Sequence, residues 1–433
     1  MAARNNQGRL GGDTRSDSGT VDPSGRSTLA RDIRLTNPDR LRILWYSNAP
    51  WAATGYGQQT QQVIQRLAKE DHQVAVHAMY GLAGSSSTWN GFRVYPQGLS
   101  TYSDDVVVAH TMAWANEDLT TPILLMTLFD VWVLKSDSLK TLKNIASWVP
   151  IDHQPTPPDV LRFLERDNVK PIAMSKFGSR MLDIAGLDHH YVPHAIEPVF
   201  QPTESVNLPN GKKMTGREFM GWEEDRFVVS MVATNKGSQP ARKAWAENIL
   251  AFSIFAKDKP DAVLYLYTEP DGAMAGINLP ILLDACGIPT DRYKVVDQYA
   301  YRHGIPQQMM AAMYSASNVL LCCSMGEGFG IPVIEAQACG CRVIVSNFTA
   351  QPELVGDGWT VEGQPWWDAA QQSWFFTPSV PDIVKALEKA YNEPRRLSLE
   401  AVGHSLLYGA DTVFTKHWKP VMKELSTWCR SQS

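Results

Sequence analysis

Gly326-Glu327-Gly328-Phe329-Gly330-Ile331-Pro332-Val333-Ile334-Glu335 is the stretch that decides how this chain is read. The apolar run Val319-Leu320-Leu321-Cys322-Cys323 before it predicts a buried strand of a parallel sheet. Gly326, Gly328 and Gly330 permit a tight turn and close approach of a ligand to the backbone. Pro332 suits a first helical turn, and residues 333–338 continue as good helix. The amides at that helix start point beyond the strand end, which favours an anion. Glu335, on the first turn, is placed to accept hydrogen bonds from a pair of hydroxyls such as a ribose diol. Glu327, in the loop, can reach a second hydroxylated group. A phosphate seat flanked by two hydroxyl-binding carboxylates implies a nucleotide-sugar site.

From Gly326 to Gly340 the pattern G-E-G-F-G-I-P-x-x-E-A-x-A-C-G resembles the E-x7-E signature of retaining, GT-B fold glycosyltransferases of the family 4 type. The stretches Trp51-Ala52-Ala53-Thr54-Gly55-Tyr56-Gly57 and Pro150-Ile151-Asp152-His153-Gln154-Pro155 resemble its phage- and bacterial-like members. Glu327 and Glu335 match the two glutamates, and Arg342-Val343-Ile344-Val345-Ser346 matches the strand that follows. The resemblance implies an α/β protein of two doubly wound, Rossmann-like parallel-sheet domains facing a central cleft, with a C-terminal helix crossing back.

Composition agrees with that class. At 433 residues the chain is too long for one ordinary domain and comfortable for two α/β domains and a tail. A net charge of −5 argues against a generally basic nucleic-acid binder. The cysteines (286, 322, 323, 339, 341 and 429) contain no C-x-x-C, so they are expected to be reduced core thiols of a cytoplasmic protein, host cytoplasm if phage-encoded. No segment is long and apolar enough to span a bilayer, and the N-terminus lacks the apolar core of a secretion signal.

Residues 1–40 are rich in Gly, Ser, Asp, Asn and Arg and are expected to be a disordered tail. An acceptor-side domain is expected over 41–200, with strands at 42–47, 73–79, 106–109, 122–128, 145–149, 172–175 and 190–192. Helices are expected at 58–69, 133–144 and 176–185. A linker at 200–224 leads into a nucleotide-sugar domain, 201–409, with strands at 227–232, 262–268, 293–297, 318–323 and 342–346. Its helices are expected at 243–256, 279–286, 306–315 and 332–338. A crossover helix fills 410–433. The aromatic stretch 359–376 reads as packing of a C-terminal extension, with a sugar-stacking platform as the alternative.

Transfer of a glycosyl group must stabilise negative charge growing on a departing diphosphate. Arg242 and Lys243, after the strand 227–232, are suited to that and match an Arg-Lys element of the family; Lys236 stands where a family arginine is often found. No Asp-x-Asp triplet occurs, so departure assisted by cations, without a metal ion or other cofactor, is expected. Gly55 and Gly57 resemble the glycine loop that closes on the donor phosphate. His110, read as a strand end, is the candidate catalytic histidine by resemblance, with His153 as its rival, and Glu327 is the catalytic carboxylate candidate. Asp130 and Asp152 are expected to line the acceptor side. Gln298 and Tyr299 are expected near the nucleotide base, and Gly328, Phe329, Gly330 and Glu335 around the donor. The acceptor is expected to be a protein, a virion protein among the options. Hydroxymethylated DNA bases and a non-catalytic sugar-binding role are the alternatives.

Overall fold

The computed structural model describes residues 37–237, 240–393 and 396–432, so the expected tail lies outside the described residues except for 37–40. Two parallel sheets carry the chain. The first has eight strands in the order Ser87–Trp89, Phe92–Tyr95, Gln73–Tyr80, Arg42–Asn48, Ile123–Leu128, Ile145–Val149, Val169–Ala173 and His190–Tyr191. All pairs are parallel except the small ribbon 87–95 at the edge. The second has six parallel strands, Tyr293–Val295, Ala262–Tyr267, Phe227–Val232, Val319–Cys322, Arg342–Ser346 and Gly358–Val361.

Alternation along each strand feeds a separate apolar layer. Ile43 and Trp45 face one side of the first sheet, Leu44 and Tyr46 the other. In the second sheet Val228 and Val232 face one side while Phe227, Val229 and Met231 face the other. Both faces being covered explains why these strands read as continuous apolar runs.

The strand order reverses once in each sheet. The chain leaves Arg42–Asn48 toward Gln73–Tyr80 and later returns to its other side with Ile123–Leu128. It does the same around Phe227–Val232, which Ala262–Tyr267 and Val319–Cys322 flank. Ligand crevices of open α/β sheets form beyond the strand C-termini at such reversals.

Several local expectations are corrected. Residues 106–109 are not a strand: Val107–Ala115 is a helix, because a short β-branched run carries no reliable period. The stretch 133–144 forms two single turns, Val131–Val133 and Asp137–Thr141, not a helix. The stretch 200–224 is no plain linker. It holds an antiparallel ribbon, Ser205–Asn207 with Lys213–Thr215, and a helix, Gly216–Met220, closed by a Thr215–Glu218 capping box.

The terminal segment runs as Ala410–Val413, a wider π turn at Phe414–Trp418, then Lys419–Ser431. The widening adjoins Pro420, which has no amide to donate to the ladder. Trp418 is fully buried, 4.9 Å from the Trp148 ring and 6.1 Å from that of Trp45, so this helix packs back on the first sheet. Trp418→Ala should lower unfolding free energy by about 3–5 kcal/mol, the usual cost of truncating a buried large aromatic residue. Urea denaturation measures this, and a loss below about 1 kcal/mol would show that the helix does not hold the first sheet.

Candidate active site

The loops beyond the strand reversals supply the polar residues of the cleft. Residues 233–243 follow Phe227–Val232, and residues 323–330 follow Val319–Cys322. The two loops join through the Met325 amide, which donates to the Arg242 carbonyl at 2.8 Å. Arg242 donates from Nη1 to Glu327 Oε2 at 3.0 Å and to the Gly326 carbonyl at 2.6 Å. Lys243 Nζ pairs with Glu327 Oε1, which also accepts from Ser324 Oγ at 2.6 Å. The Glu327 amide donates to Thr349 Oγ1 at 2.9 Å. Burial alone would raise the Glu327 pKa, but the Lys243 and Arg242 charges outweigh it and hold the group down at about 2.

Two helices begin at this cluster with no side-chain cap. Trp245–Ala256 starts after Ala244, held at φ +48°, and Ile331–Ala338 after Gly330, at φ +116°. Left-handed backbone is strained for Ala244, and such strain is concentrated at functional sites. The opening amides of Trp245–Ala256 and the Ile331 amide are therefore available to an anion beside the paired cations, whereas Pro332 has no N–H and the Val333 amide donates to the Gly330 carbonyl at 3.0 Å.

From the first sheet, Asn48 leads into the loop that opens the helix Gly55–Lys69. Thr54 caps that helix by accepting from the Gly57 amide at 3.0 Å. A Cβ on Gly57 would sit 2.2 Å from the Ala52 carbonyl, so only glycine fits there. One on Gly55 would be 3.1 Å from Ile331, which places this helix start against that of Ile331–Ala338. Leu128 leads to Asp130, and Val149 leads to Asp152 and His153.

Asp152 Oδ2 is 3.8 Å from Arg242 Nη1, an ion pair between the two sheets' loops. Burial opposes ionisation of Asp152, but His153 and Arg242 bring its pKa below the ordinary value. Asp130 behaves oppositely: burial and then the Asp152 charge push it up to about 6, with Arg242 and Lys236 only partly offsetting this. Tyr56, between the two glycines, feels the Asp130 and Arg242 charges and is held neutral by burial.

The glycine loop presses directly on the first sheet's loop. A Cβ on Gly326 would lie 2.2 Å from the Asp152 carbonyl, and one on Gly328 2.4 Å from Pro150 Cβ. These glycines therefore serve close approach between the sheets as well as turning.

His153 is engaged at both ring nitrogens. Nδ1 meets Asp152 Oδ1 at 2.7 Å and Nε2 meets Asp368 Oδ2 at 3.3 Å, while the ring stacks on Phe375 at 3.7 Å. This makes it a brace between the first sheet and the hairpin Gly363–Asp368/Ser373–Pro378.

His110 lies on a helix and not at a strand end. Its contacts are His77, Nδ1 to Nδ1 at 2.9 Å, and the Tyr95 ring, stacked at 4.7 Å, rather than the Arg242 cluster. Glu335 is buried and Oε2 accepts from Tyr314 at 2.9 Å; burial lifts its pKa to about 7. Phe329 is a core residue, edge-on to His194 and Tyr408. Gln298 uses Nε2 to hold the carbonyls of Thr268 and Val296 at 3.0 and 2.9 Å. Tyr299 is exposed against His303. Lys236 is exposed in the loop, near enough for its charge to reach Asp130.

Sequence reasoning missed Ser324, Thr349, Tyr56 and Asp368. Tyr56 was recoverable from its place between Gly55 and Gly57. Asp368 gave no local signal, since its partner His153 is 215 residues away.

Residues 291–400 match the family model described as "Glycosyl transferases group 1". Among solved structures, sucrose-phosphate synthase from Thermosynechococcus elongatus superposes with a TM-score of 0.65 at 16% identity, over 90% of this chain and 99% of that one. The Anabaena HepE protein, solved with UDP-glucose, superposes with a TM-score of 0.61 at 14% identity, over 88% and 99%. The fold is GT-B. Curated relatives match shorter stretches. O-antigen chain mannosyltransferase B of Escherichia coli is 42% identical over 53 residues, 12% of this chain and 14% of that protein. The D-inositol 3-phosphate glycosyltransferase of Streptomyces bingchenggensis is 40% identical over 67 residues, 16% and 15% of the two. No helix among the described residues is long and apolar enough to cross a membrane, and no disulfide joins cysteines among them.

The raised pKa of Asp130 has a stability consequence with a definite sign. Well below its ordinary value of 3.8, folded and unfolded chains both hold the proton. Between 3.8 and about 6 the folded chain keeps a proton that the unfolded chain releases, so stability falls as pH rises. Asparagine does not ionise. Asp130→Asn should therefore gain stability over the unsubstituted chain as pH is raised from about 4 to about 7, read from urea midpoints across that range. A difference that stays flat with pH would mean that Asp130 is solvated.

Proposed function

We propose that the protein is a retaining glycosyltransferase that moves a sugar from a nucleoside-diphosphate sugar to a hydroxylated acceptor. The observation that carries this reading is the Arg242–Lys243–Glu327 cluster, set between two uncapped helix starts at the strand reversal of a GT-B sheet. The family match over 291–400 and the UDP-glucose bound to the HepE protein support a nucleotide-sugar donor.

In this reading the diphosphate rests on Arg242, Lys243, the opening amides of Trp245–Ala256 and the Ile331 amide. Glu327 orients both cations before the donor arrives, so charge on the leaving group meets donors already in place. The bond from the anomeric carbon to the diphosphate oxygen breaks as the acceptor oxygen bonds to the same face of that carbon. The acceptor proton passes to the departing diphosphate. Asp152, tied to His153 and Arg242, and Asp130, poised near neutrality, face this centre from the first sheet. Glu335 takes the ribose hydroxyls on the carboxylate that Tyr314 steadies. No step in this scheme requires a divalent ion.

A hydrolysis screen across UDP-, GDP- and ADP-sugars tests the donor class. Turnover of none of them would remove the transferase reading. Glu335→Ala should weaken binding of the preferred nucleoside diphosphate by about 1–3 kcal/mol, the worth of a charged hydrogen bond, as measured by calorimetry. Unchanged affinity would leave Glu335 as only a partner of Tyr314. Activity should also survive EDTA; loss on chelation with recovery in Mn²⁺ or Mg²⁺ would show that Arg242 and Lys243 do not suffice for the diphosphate.

A further inference from the structure

The hairpin Gly363–Asp368/Ser373–Pro378 stands beside the cluster, and its register sorts its side chains into two faces. Trp366, Asp368, Ser373 and Phe375 share the inner face. Most of that face is used within the protein: Asp368 and Phe375 hold His153, and Ser373 Oγ donates to the Pro155 carbonyl, while the partly exposed Trp366 stacks on Phe375 at 6.4 Å. The other face carries Trp367, Trp374 and Phe376. Trp367 and Trp374 meet edge to face at 4.9 Å, yet they remain 46% and 43% exposed.

The same face continues as an aromatic row. Phe376 stacks on Phe348 at 5.2 Å with planes 11° apart, and Phe348 lies 6.4 Å from Phe177. Phe348 and Phe177 line a cavity of about 450 Å³, whose polar walls include Gln154, Arg180, Asn347 and Thr349. Both ends of the row reach the reaction cluster. Thr349 accepts the Glu327 amide, and Gln154, next to His153, exchanges backbone hydrogen bonds with Trp374 at 3.1 and 3.2 Å.

Two indoles left in water, next to the half-buried Phe348, amides and one guanidinium, match a pyranose ring. Its C–H face covers an indole while its outward hydroxyls meet planar amide and guanidinium groups. A nucleic-acid strand would need a run of cations, and here Arg180 shares the cavity with Glu353. We infer that the acceptor is a carbohydrate chain, held on the Trp367–Trp374 face and led past the Phe348 cavity to the Arg242–Glu327 cluster. This rests on the glycosyltransferase reading and names its acceptor class as glycan, in place of the protein acceptor expected from composition.

Trp367 and Trp374 are exposed, so Trp367→Ala/Trp374→Ala should fold, and the backbone pairing with Gln154 survives it. The full chain, applied to an array of defined oligosaccharides and to gels containing soluble polysaccharide, should retain a subset of glycans. The double alanine variant should bind them roughly tenfold more weakly or worse, while the double phenylalanine variant keeps most of the affinity. Donor hydrolysis without acceptor should be unchanged in both variants, and with a glycan acceptor KM should rise while kcat holds. Equal glycan affinity in the alanine variant, or sugar transfer to protein with no glycan bound, would overturn the inference while leaving the donor reading intact. Glycan binding that depends on the tryptophan pair in a chain that hydrolyses no donor would uphold the groove and remove the transferase reading.

Discussion

The Glu327 carboxylate, bridging Arg242 and Lys243 inside the cleft, is the interaction on which the rest of the site depends. Two cations side by side repel each other, and burial penalises each of them. A carboxylate between them offsets both costs only because its remaining capacity is filled by Ser324 and its own amide is held by Thr349. The ion triad thereby fixes the loop 323–330 on the loop 233–243, and the Met325–Arg242 backbone bond locks the pair. Removing one member of such a buried set would leave an uncompensated charge, so its parts are mutually dependent.

The second constraint is contact without side chains. Gly326 and Gly328 let the loop lie on Asp152 and Pro150, where any Cβ would collide with backbone or ring atoms. That approach puts Asp152 near Arg242 and makes the Asp130–Asp152 pair feel each other's charge. The hairpin then clasps the same loop through His153, Asp368 and Phe375. A nearby latch repeats the logic: Glu353, following the second sheet's Arg342–Ser346 strand, accepts the Lys176 and Phe177 amides at 2.7 and 2.8 Å, capping a helix of the first. Closure is therefore built from polar contacts at the rim and glycine contacts at the centre.

Legibility followed the range of the determining interaction. Strands such as Ile145–Val149, Phe227–Val232 and Arg342–Ser346 were legible because their apolar runs are local and bounded by turn residues. Val107–Ala115 was misread because three β-branched residues in a row favour a strand until packing on the first sheet decides otherwise. The 200–224 ribbon and helix were hidden by short length and polar composition, although Thr215 and Glu218 carried a readable capping box. The histidines show the limit most clearly. His110 and His153 were equal candidates by residue type, and only their neighbours distinguish a His77-paired residue from one clamped by two aspartates.

By itself, the sequence determined two alternating α/β units, the strand–glycine–helix junction at 319–338, and the adjacent cations at 242–243 beyond a strand. Each of these rests on interactions between residues close in the chain: pleat alternation, turn permissiveness and helix starts. The tertiary structure alone decided which carboxylates face the cations, why Gly326 and Gly328 admit no side chain, and which tryptophans of 359–376 stay in water. Those outcomes depend on two sheets and a hairpin meeting across separations of up to about two hundred residues, where no local period carries the information.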